Sequence, residues 1–565
     1  MRGSAGDTIR FGLAPGSDVL CEEIYTDPSA YYIFDVFRPQ ILTMHFKTDI
    51  YAAEAGAEPP VLVPTVTQGL NEDLLVEAKD ATSFEHQMTA RQAFRIYPKA
   101  VGWSILLSLA IIMEGYDTLL LGSFYAFPAF VKKFGTLQPD GSYEVSAPWQ
   151  AGLSNGAQVG EIFGLFFAGY ASERFGYRKT MISALVAIAG FIFIQFFAPN
   201  IQTLQAGYVL CGIPWGVFQT ITTAYAAEVC PIALRGYLTT YVNLCWVIGQ
   251  FIASGILRGM LSVQNEWAYR ACYAIQWFWP IPIIVGVFFA PESPWWLDAG
   301  KAVDRLTTKR ADTNFNTEQK MEKKVSSGTG TDLRRTEIVS VVWLMQALCG
   351  SALMGYSTYF YEQAGLPTTQ SFNFTLIQYA LGAFGTMFSW VAMTYFGRRT
   401  LYLTGMSVMF CLLLVIGIIS VTPSASKGGS WGIGSMLLVF TLVYDCTVGP
   451  VCYSLVAEIP ATRLRSKSIV IARNIYNVGC IVNNIITPYM LNPTAWNWKA
   501  KTAFFWAGIN AVLIGMAYSE LDVLFERKVS ARKFRTTPVD PFNGVTSELD
   551  TPKSAAIMVE NVEKE

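Results

Sequence analysis

Five charged side chains stand inside runs that are otherwise apolar enough to cross a membrane. Glu114 and Asp117 lie in "AIIMEGYDTLLLGS" (110–123), Glu161 in "AQVGEIFGLFF", Asp445 in "TLVYDCTVGP" and Arg473 in "SIVIARNIYNVG". A charge at the centre of a bilayer helix costs about 2.5–3.5 kcal/mol on insertion scales, so the set costs on the order of 10 kcal/mol if unpaired. Four acids and one base must therefore face each other or a polar cavity. The chemistry open to them is proton handling. A carboxyl group in an apolar surrounding disfavours its charged form and can load a proton; an approaching guanidinium favours its release. Glu114 and Asp117, three residues apart, are expected to share one helix face. The competing reading is a set of ion pairs that only fixes helix rotation. Asp445 fits helix packing as well as function.

The elements that must position these groups are membrane spans. The chain has 565 residues, 52% hydrophobic and only 15% charged, where soluble chains carry about 25% charged residues. Twelve apolar runs are each near the roughly 20 residues a helix needs to cross a bilayer. They fall at 101–123, 149–170, 180–198, 205–226, 237–257, 271–290, 338–361, 372–393, 400–421, 431–455, 468–490 and 502–519. The expected fold class is an all-α membrane protein with twelve transmembrane helices in two six-helix bundles. The expected organisation is a segment without order over 1–95, a first bundle over 96–290, a linker over 291–337, a second bundle over 338–525 and a tail over 526–565. Lys and Arg collect in the 2–3, 6–7 and 8–9 connections, nine of them between Lys301 and Arg335. By the positive-inside rule these connections and both termini are cytoplasmic. The chain start lacks the basic-then-apolar pattern of a signal peptide.

The chain repeats itself. "AEVCPIALRG" (227–236) follows the fourth run and "AEIPATRLRS" (457–466) the tenth, so Glu228 and Arg235 are answered by Glu458 and Arg465 at an offset of 230. "ERFGYRKT" after the second run is echoed by "TYFGRRT" after the eighth. Two halves in one orientation are the mark of a parallel-repeat transporter. Other classes find no support. The net charge of −1 gives no field for nucleic acid, and the only histidines, His45 and His86, precede the first span. Ten scattered cysteines with no C-x-x-C pair read as small apolar residues. There is no phosphate loop, nucleophile–base pair or metal cluster, so neither an enzyme, a cofactor nor a metal is expected.

Five motifs in order resemble the sugar porters of the major facilitator superfamily, most of all the fungal maltose permeases, which are α-glucoside:proton symporters. They are "GYASERFGYRK" (169–179), "CGIPWG" (211–216), "APESPWWL" (290–297), "LMGYSTYF" (353–360) and "VGPVCYSLVAEIP" (448–460). The resemblance covers about 96–525 and implies the major facilitator fold, a plasma-membrane location and a monomer working with sugar and proton. It implies proton coupling through Asp117 in the "GYD" position, with Glu114, Glu161 and Arg473 matching intramembrane charges of these permeases. It implies a cytoplasmic gate of Glu173, Arg174, Arg178, Glu228, Arg235, Arg398, Arg399, Glu458 and Arg465. Simple positive-inside anchoring is the competing reading of those charges. Sugar recognition needs aromatic faces for stacking and amides or hydroxyls for the ring OH groups. The candidates are Asn243 and Gln250 in span 5, Gln346, Tyr356 and Tyr359 in span 7, Tyr453 in span 10, and Tyr476 and Asn477 in span 11; hydrogen bonds between helices are the alternative for each. Two departures stand out. No basic residue lies in 205–226, so a span 1–span 4 acid–Arg pair is ruled out and Arg473 is left as the partner of the acids. Thr394 and Tyr395 stand where the second-half turn would carry Asp-Arg. The alternatives to a proton-driven importer are a facilitative carrier and a non-transporting sugar sensor.

Overall fold

The computed structural model describes residues 89–139, 141–230, 232–292, 330–422, 427–460 and 465–523. Most of the expected linker and all of the expected tail, with the chain before residue 89, lie outside the described residues. Apart from one short hairpin, the elements formed by the described residues are all helices.

The helices line up as twelve rods. Span 1 is Pro98–Ser108 followed by Ala110–Phe124, span 2 Ala147–Phe175, span 3 Tyr177–Phe196, span 4 Ile201–Val229 and span 5 Ile232–Met260. Span 6 runs through Trp267–Ile275, Gln276–Phe278 and Pro280–Phe288. Span 7 is Gly330–Leu348, Ala352–Gly355 and Ser357–Gln363; span 8 is Thr368–Tyr395 and span 9 Arg398–Val421. Span 10 is Lys427–Cys446 then Val448–Glu458, span 11 Arg465–Leu491 and span 12 Thr502–Val523. Nine stretches among them are long and apolar enough to cross a membrane by composition. Phe163, Phe166, Tyr170 and Phe278 are each more than half exposed, as suits side chains facing lipid.

Two expectations are corrected. The segment expected to lack order up to 95 ends in a helix, Ala90–Ile96, held by a capping box of Thr89 and Gln92. Residues 330–337, assigned to the linker, are the start of span 7. Spans 7 and 10 are each broken within their length. In span 10 the break falls at Thr447 (φ −130°, ψ −82°), where Pro450 has no N–H for the Cys446 carbonyl and crowds it. In span 7 Gly350 takes φ +99°, a left-handed conformation that glycine alone adopts freely.

The packing carries the repeat seen in the sequence. In the first half span 1 packs on span 5, span 4 on spans 2 and 3, and span 3 on span 6. In the second half span 7 packs on span 11, span 10 on spans 8 and 9, and span 9 on span 12, the same scheme six spans later. Between the halves, span 2 lies along span 11 and span 5 along span 8, again an equivalent pair. Glycines set the closest crossings. A Cβ on Gly160 or Gly164 of span 2 would run into the span 4 backbone, and one on Gly212 or Gly216 of span 4 into that of span 2. Without a hydrophobic force between helices in lipid, such close backbone approach is what holds them.

The rods have two distinct ends. One carries Arg174, Arg178, Arg235, Arg398 and Lys467 and is called the basic end. The other carries an antiparallel hairpin after span 1, β1 (Thr136–Leu137) paired with β2 (Tyr143–Glu144), and is called the hairpin end.

Candidate functional site

Arg473, 2% exposed, does not reach for the membrane surface from its position near the start of span 11. Its Nε donates to Oε1 of Gln219 in span 4. The other end of that amide, Nε2, donates to Glu114 of span 1 and, at 3.4 Å, to Glu161 of span 2. Only this amide orientation serves all three, since a guanidinium only donates and a carboxylate only accepts. One neutral side chain thus joins two acids of the first half to the base of the second. Aromatic rings close around the guanidinium: Tyr476 at 4.1 Å, Trp343 at 5.3 Å and Trp246 at 5.9 Å from the ring centroids, with Tyr453 also against it. Rings in this position replace part of a cation's lost hydration.

One guanidinium balances one carboxylate, so this cluster is electrically neutral only with one proton aboard. An unpaired charge at this depth is costly, so an arrangement of two carboxyls and one base suits a proton that comes and goes.

Asp117 does not belong to this cluster. The expectation of one shared face is corrected: at 100° per residue, three positions leave a 60° gap, enough to send Glu114 toward spans 2 and 4 and Asp117 toward spans 3 and 6. There Asp117 accepts from Gln276 Nε2 at 2.6 Å and Gln195 Nε2 at 3.4 Å. Tyr208 and Tyr273, bonded to each other at 2.9 Å, lie beside it. Tyr208 is the residue found where a span 4 base was sought. Asp445 is buried where spans 5, 8 and 10 meet, with its Oδ2 beside Gly382 and the Asn243 amide next to it.

The expected sugar-binding residues divide into two groups. Tyr453, Tyr476 and Asn477 border the central cluster, Gln346 lies one turn along span 7 from Trp343, and Asn243 lies against Asp445. Gln346 donates to Tyr444 at 3.0 Å, and Asn477 lies beside Glu161. Gln346 Oε1 and Asn477 Oδ1 are buried with no hydrogen-bond partner in the protein, a costly condition that a polar ligand relieves, while the amide N–H groups of Asn243 and Asn477 face the carboxyls of Asp445 and Glu161. Gln250 is partly buried, two turns beyond Asn243 toward the hairpin end. Tyr356 and Tyr359 stand elsewhere, in the closure of the hairpin end. Tyr356 donates to Ser154 at 2.8 Å and stacks on Tyr125, and Tyr359 donates to Glu144. Ser123 and Thr358 bond at 2.9 Å beside them, and Gly122 meets the carbonyl of Gly355.

At the basic end the expected gate charges are paired in part. Glu173 meets Lys467 across the halves at 3.4 Å. Glu458 takes Arg398 at 3.1 Å and Ser454 at 3.1 Å, both within its own half. The Arg398–Glu458 pair abuts Gly236 of span 5. Glu228 accepts from Tyr177 at 2.9 Å, and the Arg178 backbone N–H donates to Glu292 at 3.3 Å. Arg399 stacks on Tyr518. Arg174 is exposed, and Arg235 is partly buried beside Gly236; Arg465 opens the span 11 helix. Trp390 Nε1 donates to Thr240 Oγ1 at 2.6 Å, a further bond between the halves. Both ends are thus closed over the central cluster.

The sequence reading missed Gln219, Gln195, Gln276 and Lys467. The signal for Gln219 was its place in a run with no charge, seven residues after Gly212, where only bases were being sought.

Residues 103–522 match the profile of the family described as "Sugar (and other) transporter". The chain is 41% identical over 539 residues to maltose permease MAL31 of Saccharomyces cerevisiae, covering 88% of each chain. It is 41% identical over 515 residues to a general alpha-glucoside permease of the same yeast, covering 84% of this chain and 83% of that one. Among solved structures it resembles the major facilitator superfamily proton:xylose symporter XylE bound to 6-bromo-6-deoxy-D-glucose. There the TM-score is 0.61 at 18% identity, over 75% of this chain and 96% of the other, a likeness of fold.

Proposed function

The chain belongs to the sugar (and other) transporter family, and on that premise we propose that it carries α-glucoside disaccharides such as maltose across the plasma membrane together with protons, as a monomer. Membership with relatives named as maltose and α-glucoside permeases supports the substrate class. The observation that carries the coupling is the bridge from Arg473 through Gln219 to Glu114 and Glu161. The basic end faces the cytoplasm, with both termini, and the hairpin end faces outward.

The transport cycle follows from what the bridge joins. The halves rock about the midplane, opening one end at a time. When the outer end opens, Arg473 leaves Gln219 and the two acids keep a charge with no partner, which a proton from outside cancels. When the inner end opens in turn, the guanidinium returns to the acids and the proton leaves to the cytoplasm. Asp117, inside the first half, is a second proton-carrying acid held by Gln195 and Gln276. Sugar hydroxyls, which both donate and accept, satisfy Asn243, Gln346 and Asn477, and the rings of Trp343, Tyr453 and Tyr476 border the same space.

Uptake of labelled maltose in cells lacking their own carriers, with the external pH recorded, tests this. Accumulation with sugar-induced alkalinisation is expected. No uptake overturns the substrate class, and uptake without alkalinisation makes the protein a facilitative carrier. Asn243→Ala and Gln346→Ala each remove one sugar hydrogen bond worth about 1 kcal/mol, raising the half-saturating concentration about fivefold; unchanged values in both move the sugar elsewhere.

A further inference from the structure

A cavity of about 750 Å³ lies between the two halves at the hairpin end, beyond the closure made by Gly122, Ser123 and Tyr356. The first half contributes Gln138, Tyr143 and Glu144 to its wall, and the second Tyr359, Glu362 and Gln363. Its size lies in the range of small-molecule sites, about 300–1,000 Å³.

The lining has the chemistry of carbohydrate recognition. Three phenols line it, of which the Tyr143 ring is exposed, with two amides that both donate and accept, two carboxylates that accept from hydroxyls and the Lys132 ammonium that donates to them. Each carboxylate already takes a hydroxyl. Glu144 accepts from the Tyr359 phenol and Glu362 from Thr368 Oγ1 at 2.6 Å. A sugar OH can therefore replace either partner like for like, with no charge left unpaired. The Glu144 bond also joins the halves. Tyr359 sits just after the Gly355 break of span 7, next to Thr358, whose hydroxyl meets Ser123. Loss of the phenol's partner loosens the segment that closes the path.

We propose that this cavity is a receiving site for an α-glucoside on the outer face, and that a sugar hydroxyl displacing Tyr359 from Glu144 loosens the outer closure. This rests on the transport reading above but concerns a place distinct from the central amides.

The test is equilibrium binding of labelled maltose to the purified full-length chain in lipid nanodiscs. Two sites per chain are expected. The Gln138→Ala/Gln363→Ala double variant should lose one class, and Asn243→Ala should weaken the other alone. A Ser142→Cys chain, altered at an exposed lining position that keeps both amides, provides the second measurement, labelling by a membrane-impermeant thiol reagent from outside. At ten times its dissociation constant for this site, maltose leaves about one site in eleven open and should slow that labelling about tenfold. A malto-oligosaccharide too long to be transported should slow it as well. One site per chain in the unmodified protein, a double variant that keeps both classes, or labelling at 142 indifferent to sugar overturns the receiving site while leaving transport standing. A chain that neither binds nor takes up maltose overturns the transport reading itself.

Discussion

Gln219 turns three separately costly charges into one compensated group, and its removal should show it. Gln219→Leu leaves the guanidinium and both carboxyls without their shared partner. A buried polar group left unsatisfied costs about 1–3 kcal/mol, so maltose uptake should fall about tenfold or more with surface expression unchanged; a wild-type rate would mean that the bridge is incidental. Arg473→Leu should abolish uptake, whereas Arg473→Lys should keep part of it, since lysine keeps the charge and loses the fork. Asp117→Asn should stop accumulation against a gradient while sparing sugar exchange, because its neighbours Gln195 and Gln276 can still bond an amide that carries no proton. Accumulation with intact alkalinisation in that variant would remove Asp117 from the coupling. The charged members of this site were legible in the sequence because a charge in an apolar run is expensive and rare. The amides that join them were not. A glutamine in a span reads equally as a bond between helices, and nothing in a one-dimensional pattern says which acid it touches. The same limit explains Glu114 and Asp117: spacing predicted one face, and only the neighbouring helices decide that they part.

The pairing of elements was more legible than their interiors. The A-E-x5-L-R repeat announced two equivalent halves, and the packing of spans 1–6 recurs in spans 7–12. The breaks in spans 7 and 10 were not foreseen. Gly350, Gly355 and the Gly449–Pro450 pair are their signal, but glycine and proline are common in membrane helices and need not break them. Outside the membrane, Lys133 and Arg270 grip Glu266 at 2.7 and 2.9 Å, tying the helix after span 1 to the start of span 6. The Lys133 bond holds the Glu266 carboxyl below its ordinary range. Its contribution is thus full above the ordinary carboxylate range and fades as pH falls through the lowered value. The pair is open to solvent, and such pairs add little. Glu266→Gln should leave the thermal midpoint at pH 7 almost unchanged, and a large drop in a melting experiment would show that this contact anchors the first half.

Across the whole molecule, the halves touch at both ends and in the middle, so opening either end means giving up a specific set of contacts. At the hairpin end Gly122 leaves room for no side chain against the Gly355 carbonyl. Gly122→Val puts a branched side chain where only hydrogen fits, so that end should no longer close. Uptake should be lost while binding of external maltose persists, and normal uptake would show that the crossing is not needed for closure. The basic end has its own fasteners, Glu173–Lys467 and Trp390–Thr240. The aromatic ring of residues around Arg473 has one more consequence. Trp246 comes from the first half and Trp343 from the second, and both lie within 6 Å of the same cation. A cation beside an indole shifts the energy of its excited state, so the distance between the halves is written into the fluorescence of two native residues. Each stroke of the transporter should therefore change its own emission, a signal that Trp246→Phe would diminish and that needs no added dye.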